Sequence, residues 1–137
     1  MDTGVCIKEV YNILTAISNQ DNKQRKKNII LANKENKLLF SVMKYLLGNP
    51  QPGFDPKRIY GYVYTAAEPP EFQEWDELMS YFREHRDIED RLAAALKFVQ
   101  LKPFSDRPMW RAILSKGIAL GNEQYLTTVI RKEENSA

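Results

Sequence analysis

Apolar residues recur at intervals of three and four along most of this chain, the spacing that places them on one face of an α-helix. Ile7, Val10, Tyr11, Leu14 and Ile17 predict an amphipathic first helix over residues 5–18. Ser18-Asn19-Gln20-Asp21 interrupts the pattern, and Asp21 or Asn19 is placed to cap a second helix over about 22–33. A polar turn, Asn33-Lys34-Glu35-Asn36, leads to a third helix with Leu39, Val42, Met43, Leu46 and Leu47 on one side. Gly48 follows at the position where a left-handed residue ends many helices.

The pattern then breaks. Three prolines and a glycine between Asn49 and Pro56 forbid a continued helix. Over residues 57–66, Tyr60, Tyr62 and Tyr64 alternate with Gly61, Val63 and Thr65, which is the period of a strand. A lone short strand has no partner elsewhere in the chain, so this segment is expected to be extended or irregular. After Glu68-Pro69-Pro70-Glu71, the residues Phe72, Trp75, Leu78, Met79 and Phe82 mark a fourth helix. Its acids (Glu74, Asp76, Glu77) come first and Arg83, His85 and Arg86 last, which suits the helix dipole at both ends.

A fifth helix runs from Ile88 to about Lys102, with Ile88, Leu92, Ala95, Leu96 and Val99 facing inward until Pro103 stops it. Ser105 or Asp106 caps a sixth, which accepts Pro108 in its first turn and offers Met109, Trp110, Ile113 and Leu114 to the core. Lys116-Gly117-Ile118-Ala119-Leu120-Gly121 reads as a turn, and Asn122 as the cap of a last helix through Ile130. The expected fold is therefore all-α, a single compact bundle of six or seven helices with one irregular Pro/Gly/Tyr-rich connection over about 49–70. The helical domain is expected over residues 1–131, followed by a polar tail at 132–137.

Composition narrows the classes. A chain of 137 residues with 43% hydrophobic and 28% charged residues has the profile of a soluble globular domain. No apolar run approaches the roughly 18–20 residues that span a bilayer, and the N-terminus has no secretory pattern. Cys6 is the only cysteine, which excludes an internal disulfide and suits a reducing, cytoplasmic setting. The net charge of +2 is unevenly spread. Residues 1–60 carry ten Lys/Arg against five Asp/Glu, residues 61–95 three against nine, and residues 96–137 seven against four. A basic face forms if the two ends of the chain meet in space.

Catalytic signatures are sparse. His85 is the only histidine and lies 79 positions from Cys6, a poor basis for a nucleophile and base. Cys6 reads as a small buried hydrophobe on the first helix, and His85 as a surface residue at a helix C-terminus. Phosphate-binding glycine motifs are absent from the sequence. The acids of residues 68–90 read as a solvated face, with no metal or catalytic role. That acidic stretch and the aromatics Tyr60, Tyr62, Tyr64 and Trp75 also suit a protein-interaction adaptor that meets a basic partner.

The basic stretch points elsewhere. Lys23, Arg25, Lys26 and Lys27, followed by Lys34 and Lys37, supply enough cations to neutralise several phosphates along one groove. Helix starts at Asp21–Lys23, Ser105–Arg107 and Asn122–Gln124 offer backbone N–H groups to phosphate oxygens. Four cations at the start of a helix also oppose its dipole, a mild frustration that suggests the charges serve something outside the fold.

Residues 13–50, ILTAISNQDNKQRKKNIILANKENKLLFSVMKYLLGNP, resemble the opening of ATP-dependent DNA ligases of the tailed-phage type. Those proteins begin with a short helix, a lysine-rich helix ending in a "K-x-N" turn, and an "L-L-x-x-x-x-x-L" helix. Residues 111–130, RAILSKGIALGNEQYLTTVI, resemble the family's "R/K-x-L-x-x-G" turn and the capped helix after it. In that family the N-terminal region is a helical domain that grips duplex DNA across the minor groove, mainly at sugar and phosphate, beside a separate catalytic core.

The resemblance implies a DNA face at Lys23, Arg25, Lys26 and Lys27 and a second contact at Lys116, Gly121 and Asn122. Gly121 would permit close backbone approach, and Asn122 would cap a helix while offering an amide to a phosphate. Lys34, Lys37, Arg107 and Arg111 complete the candidate set.

The chain departs from the family at Gly117, where an acid is usual, and at Ala119, where a polar or basic residue is usual. It also lacks the K-x-D-G or K-x-N-G lysine that takes AMP. The implied role is thus non-catalytic, sequence-independent binding of double-stranded DNA, by a module of a longer ligase or a stand-alone relative. Such a module belongs in a bacterial or phage-infected cytoplasm and has no membrane partner. It needs no cofactor of its own, and ATP and Mg²⁺ enter only with a catalytic domain.

Overall fold

The computed structural model describes residues 6–48, 53–60 and 69–135. Among these residues the chain is all-α, with eight α-helices, one short 3-10 turn and no strand. The helices fall into two compact units. The first joins the two ends of the chain, residues 1–52 and 118–137, and the second is residues 53–117.

The first unit contains α1 (Ile7–Ser18), α2 (Lys23–Ala32), α3 (Lys37–Leu47) and α8 (Glu123–Asn135). Helix α1 buries Ile7, Val10, Leu14 and Ile17, the face its periodicity marked. Helix α2 is capped by Asn22, whose side chain accepts from the backbone N–H groups of Gln24 (2.7 Å) and Arg25 (3.2 Å). The cap is neither of the two residues expected from sequence, Asp21 or Asn19, but the residue after Asp21. Asn36 Oδ1 accepts from Leu39 N at 2.9 Å, so a second asparagine starts α3 directly after the polar turn.

Helix α3 buries Leu39, Phe40, Val42, Met43 and Leu46. Gly48 ends it with φ −64°, in extended and not left-handed backbone, contrary to expectation. Helix α8 packs against α2 and α3 through Leu126, Val129 and Ile130. It continues to Asn135, five residues past the end its apolar pattern marked at Ile130. Lys44 pairs with Glu134 at 3.0 Å across α3 and α8. Both side chains are well exposed, which limits such a pair to under about 1 kcal/mol.

The second unit contains α4 (Pro56–Tyr60), α5 (Trp75–Glu84), α6 (Ile88–Gln100), the 3-10 turn Phe104–Asp106 and α7 (Arg107–Leu114). Residues 57–60, part of a segment expected to be extended or irregular, are helical. Asp55 explains the difference: its side chain accepts from Lys57 N at 2.9 Å and its carbonyl from Arg58 and Ile59, with Pro56 in the first position that tolerates it. Local capping thus outweighs the tyrosine alternation, and Tyr62 and Tyr64 lie outside the described residues. Trp75, Phe98 and Trp110 form an aromatic centre, with Trp75 and Trp110 stacked at 5.5 Å and Phe98 edge-on to Trp110 at 5.0 Å.

Polar groups close this unit's helix ends. Glu74 and Glu77 form a capping box at the start of α5, and Asp87 accepts from Glu89 N at 2.8 Å to start α6. Arg91 donates to the carbonyls of Phe82 and His85, both at 2.5 Å, which satisfies the end of α5. Arg58 holds Glu89 with two hydrogen bonds, 2.6 and 2.8 Å, joining α4 to α6. Ile88, expected in the core, is exposed: it shares the stripe of Leu92 and Val99 but is the first residue of α6, ahead of the turns whose apolar side chains reach the core.

The packing of the first unit is open to a direct test. Leu14→Ala should cost about 2–5 kcal/mol, because Leu14 has no exposure and its loss opens a cavity in that unit. A urea melt followed by circular dichroism measures this. Acid stability tests the second unit. The Arg58 hydrogen bonds hold the Glu89 carboxyl below its ordinary value, with desolvation opposing them. The pair's contribution is therefore complete above the ordinary carboxylate range and is lost as pH falls through the lowered folded-state value. Glu89→Gln should accordingly flatten the low-pH end of the second unit's stability profile, and an unchanged profile would contradict this.

Candidate nucleic-acid interface

The site begins with the composition of α2, KQRKKNIILA, which has no acid in its first turn and no cation in its last. Lys23 and Arg25 are exposed and Lys27 is half-buried. Lys34 and Lys37, on the turn to α3 and at its first position, are exposed as well. Among the described residues, none of these five cations takes part in a salt bridge. The first unit as a whole carries ten Lys/Arg against seven Asp/Glu, so its basic character is concentrated on this helix.

Lys26 behaves differently. It is 5% exposed, the one buried charged side chain among the described residues, and its ammonium donates to the carbonyl of Leu120 at 2.5 Å. It shares a face of α2 with Ile30, four residues on, and that face turns toward α8. The expected place for Lys26 on an outward DNA face is therefore corrected: its charge is directed inside the first unit.

Gly121 and Asn122 come to the same spot. They adopt left-handed backbone in succession, φ 74° and 47°. A Cβ on Gly121 would lie 2.7 Å from Lys26 Nζ. The close approach that glycine permits is thus already taken, by a lysine from the other end of the chain. Asn122 is exposed, and its carbonyl accepts from Leu126 N at 2.9 Å at the start of α8.

Tyr125, in the first turn of α8, is a member of the site that sequence reasoning missed. Lys23 Nζ stands 5.0 Å from its ring centroid, a cation–π contact that brings the first turns of α2 and α8 together. An aromatic residue among the polar residues of a first helical turn was the available signal. On the other side of the turn, Ser18 Oγ donates to Ala119 O at 2.7 Å and ties the segment to the end of α1.

The remaining candidates, Arg107, Arg111 and Lys116, belong to the second unit. Arg107 donates to Lys102 O (3.0 Å) and Gln100 O (2.9 Å) and so closes the end of α6. Arg111 is half-buried on α7, and Lys116 follows the end of that helix with φ 55°.

Other reactive groups have local roles. Cys6 is exposed at the N-cap of α1, where a buried position was expected, because it precedes the helix's buried face. The His85 ring stacks on Tyr81 at 3.9 Å, half-buried where a surface position was expected. Trp75, which marked the apolar stripe of a helix and which the adaptor reading needs exposed, is 3% exposed in the aromatic centre. Lys102 lies 4.3 Å from the Phe98 ring centroid and donates to Gln73 O at 2.6 Å. Burial pushes its ammonium below the ordinary lysine value, with Glu74 and Asp106 opposing. No group of His, Cys, Asp or Glu side chains that could hold a metal ion occurs among the described residues. No helix among them is long and apolar enough to cross a membrane.

No family model, curated protein or solved structure matches the chain.

Gly121→Ala is expected to destabilise the first unit by about 1–3 kcal/mol, since it adds a Cβ in a left-handed conformation and against Lys26. Asn122→Gly should be tolerated, because glycine adopts the same backbone without strain. Equal urea midpoints for the two variants would contradict this geometry of the turn.

Proposed function

We propose that this chain is a non-catalytic module that binds double-stranded DNA without sequence specificity, through the sugar–phosphate backbone. The carrying observation is the cation set of α2, Lys23, Arg25 and Lys27, free of salt bridges among the described residues and beside the first turn of α8. Cations so placed release counterions when they meet phosphate, and exposed helix N–H groups add positions for phosphate oxygens. The resemblance of residues 13–50 and 111–130 to ATP-dependent DNA ligases supports the same reading. The module then serves as the N-terminal DNA-binding part of such a ligase in nick sealing, in a bacterial or phage-infected cytoplasm. ATP and Mg²⁺ would act in a catalytic core of the same longer chain.

The adaptor reading has less support. It required exposed aromatics, and Trp75 is buried, although Tyr60 remains half exposed.

Fluorescence anisotropy with a labelled nicked duplex tests the proposal. Three phosphate contacts from α2 alone predict an affinity loss of about 40-fold between about 50 and 200 mM salt. Lys23→Glu with Lys27→Glu should abolish binding at low salt while leaving helicity unchanged. Retained affinity would reduce α2 to a solvated face.

A further inference from the structure

Lys26 poses a physical question of its own. An ammonium buried beside a single backbone carbonyl, with no carboxylate in a salt bridge to it, is a costly way to fill space that a leucine or methionine fills freely. What the ammonium does provide is a directional tie. It joins α2 to the carbonyl of Leu120, immediately before two successive left-handed residues. A turn of that kind has no regular backbone ladder to define it, and two side chains from other helices tie it, Ser18 at the Ala119 carbonyl and Lys26 at the Leu120 carbonyl. Gly121 leaves the space that the ammonium needs.

The tie also lies beside the proposed binding surface. Lys23, three residues earlier, reaches Tyr125 in the first turn of α8, so α2 meets the start of α8 at two points one helical turn apart. One of these is exposed and the other buried.

We infer that Lys26 is a positioning residue: its ammonium holds the Leu120–Gly121–Asn122 turn, and with it the start of α8, beside the exposed cations of α2, without touching a phosphate itself. This role rests on the duplex-binding reading above. It separates two functions within one run of lysines, with Lys23 and Lys27 meeting the ligand and Lys26 shaping the surface that they share with α8.

Salt dependence distinguishes the two. The full chain is titrated with the labelled nicked duplex at several salt concentrations, as wild type and as Lys27→Ala, Lys26→Met and Gly121→Ala. A direct phosphate contact contributes about one unit to the slope of log affinity against log salt, so Lys27→Ala should flatten the slope by about that amount. Lys26→Met keeps the apolar stem and removes the ammonium. It should weaken binding by about tenfold at every salt concentration and leave the slope unchanged, a parallel displacement.

Gly121→Ala keeps the ammonium but displaces it from the turn, and should give the same parallel displacement. It supplies the answer if Lys26→Met fails to fold. A slope lowered by about one unit in Lys26→Met would place Lys26 on a phosphate and overturn the inference. Wild-type affinity in both variants would overturn it as well, by showing that the turn is not coupled to binding. Failure of the wild-type chain to bind overturns the duplex reading itself, and is seen before any variant is compared.

Discussion

The turn into α8 is held by a hydrogen bond between residues 94 positions apart, from the Lys26 ammonium to the Leu120 carbonyl. It brings a helix near the start of the chain against the entry to the last helix, and so closes a unit whose two segments are interrupted in sequence by the whole of the second unit. The apolar contacts of Ile30, Leu126 and Ile130 supply the burial there. Those contacts are non-directional, whereas the hydrogen bond fixes one arrangement of the turn. Gly121 and Lys26 are therefore a matched pair: a residue with no side chain, and a long side chain ending where a Cβ would be.

The second unit shows the same division between apolar mass and polar direction. Trp75, Phe98 and Trp110 supply its aromatic centre. Arg91, Arg107 and the Arg58–Glu89 pair settle where helices end and how α4 joins α6. Arginine suits this work because its planar fork reaches two acceptors at once and stays charged. Arg107, a candidate phosphate contact for the same chemical reason, also donates to two backbone carbonyls in its own unit.

Most of the helices were legible in the sequence, because three-and-four spacing survives wherever a helix has one buried face. Helix α2 was the difficult case. Its buried face is Lys26 and Ile30, and a lysine on that stripe reads as solvent-exposed by residue type although its position says otherwise. The short α4 was hidden by alternating tyrosines, since the Asp55–Pro56 start is a stronger local signal than the period of three aromatic residues. Cys6 and Ile88 were misplaced because each stands at or before the first residue of its helix, ahead of the turns whose apolar side chains reach the core. The exposed cations of the candidate site were legible as a run. Their sorting into exposed and buried members was not, because it is set by Leu120 and Gly121 at the far end of the chain.

If the duplex-binding proposal holds, the first turn of α2 and the start of α8 act as one surface for DNA. The most direct measurement is an amide NMR titration of the isotope-labelled chain with a short nicked duplex at low salt. Shifts are expected to concentrate at Lys23, Arg25, Lys27 and at Asn122–Tyr125, moving together with one affinity. Shifts confined to residues 53–117, or none at saturating duplex, would contradict it.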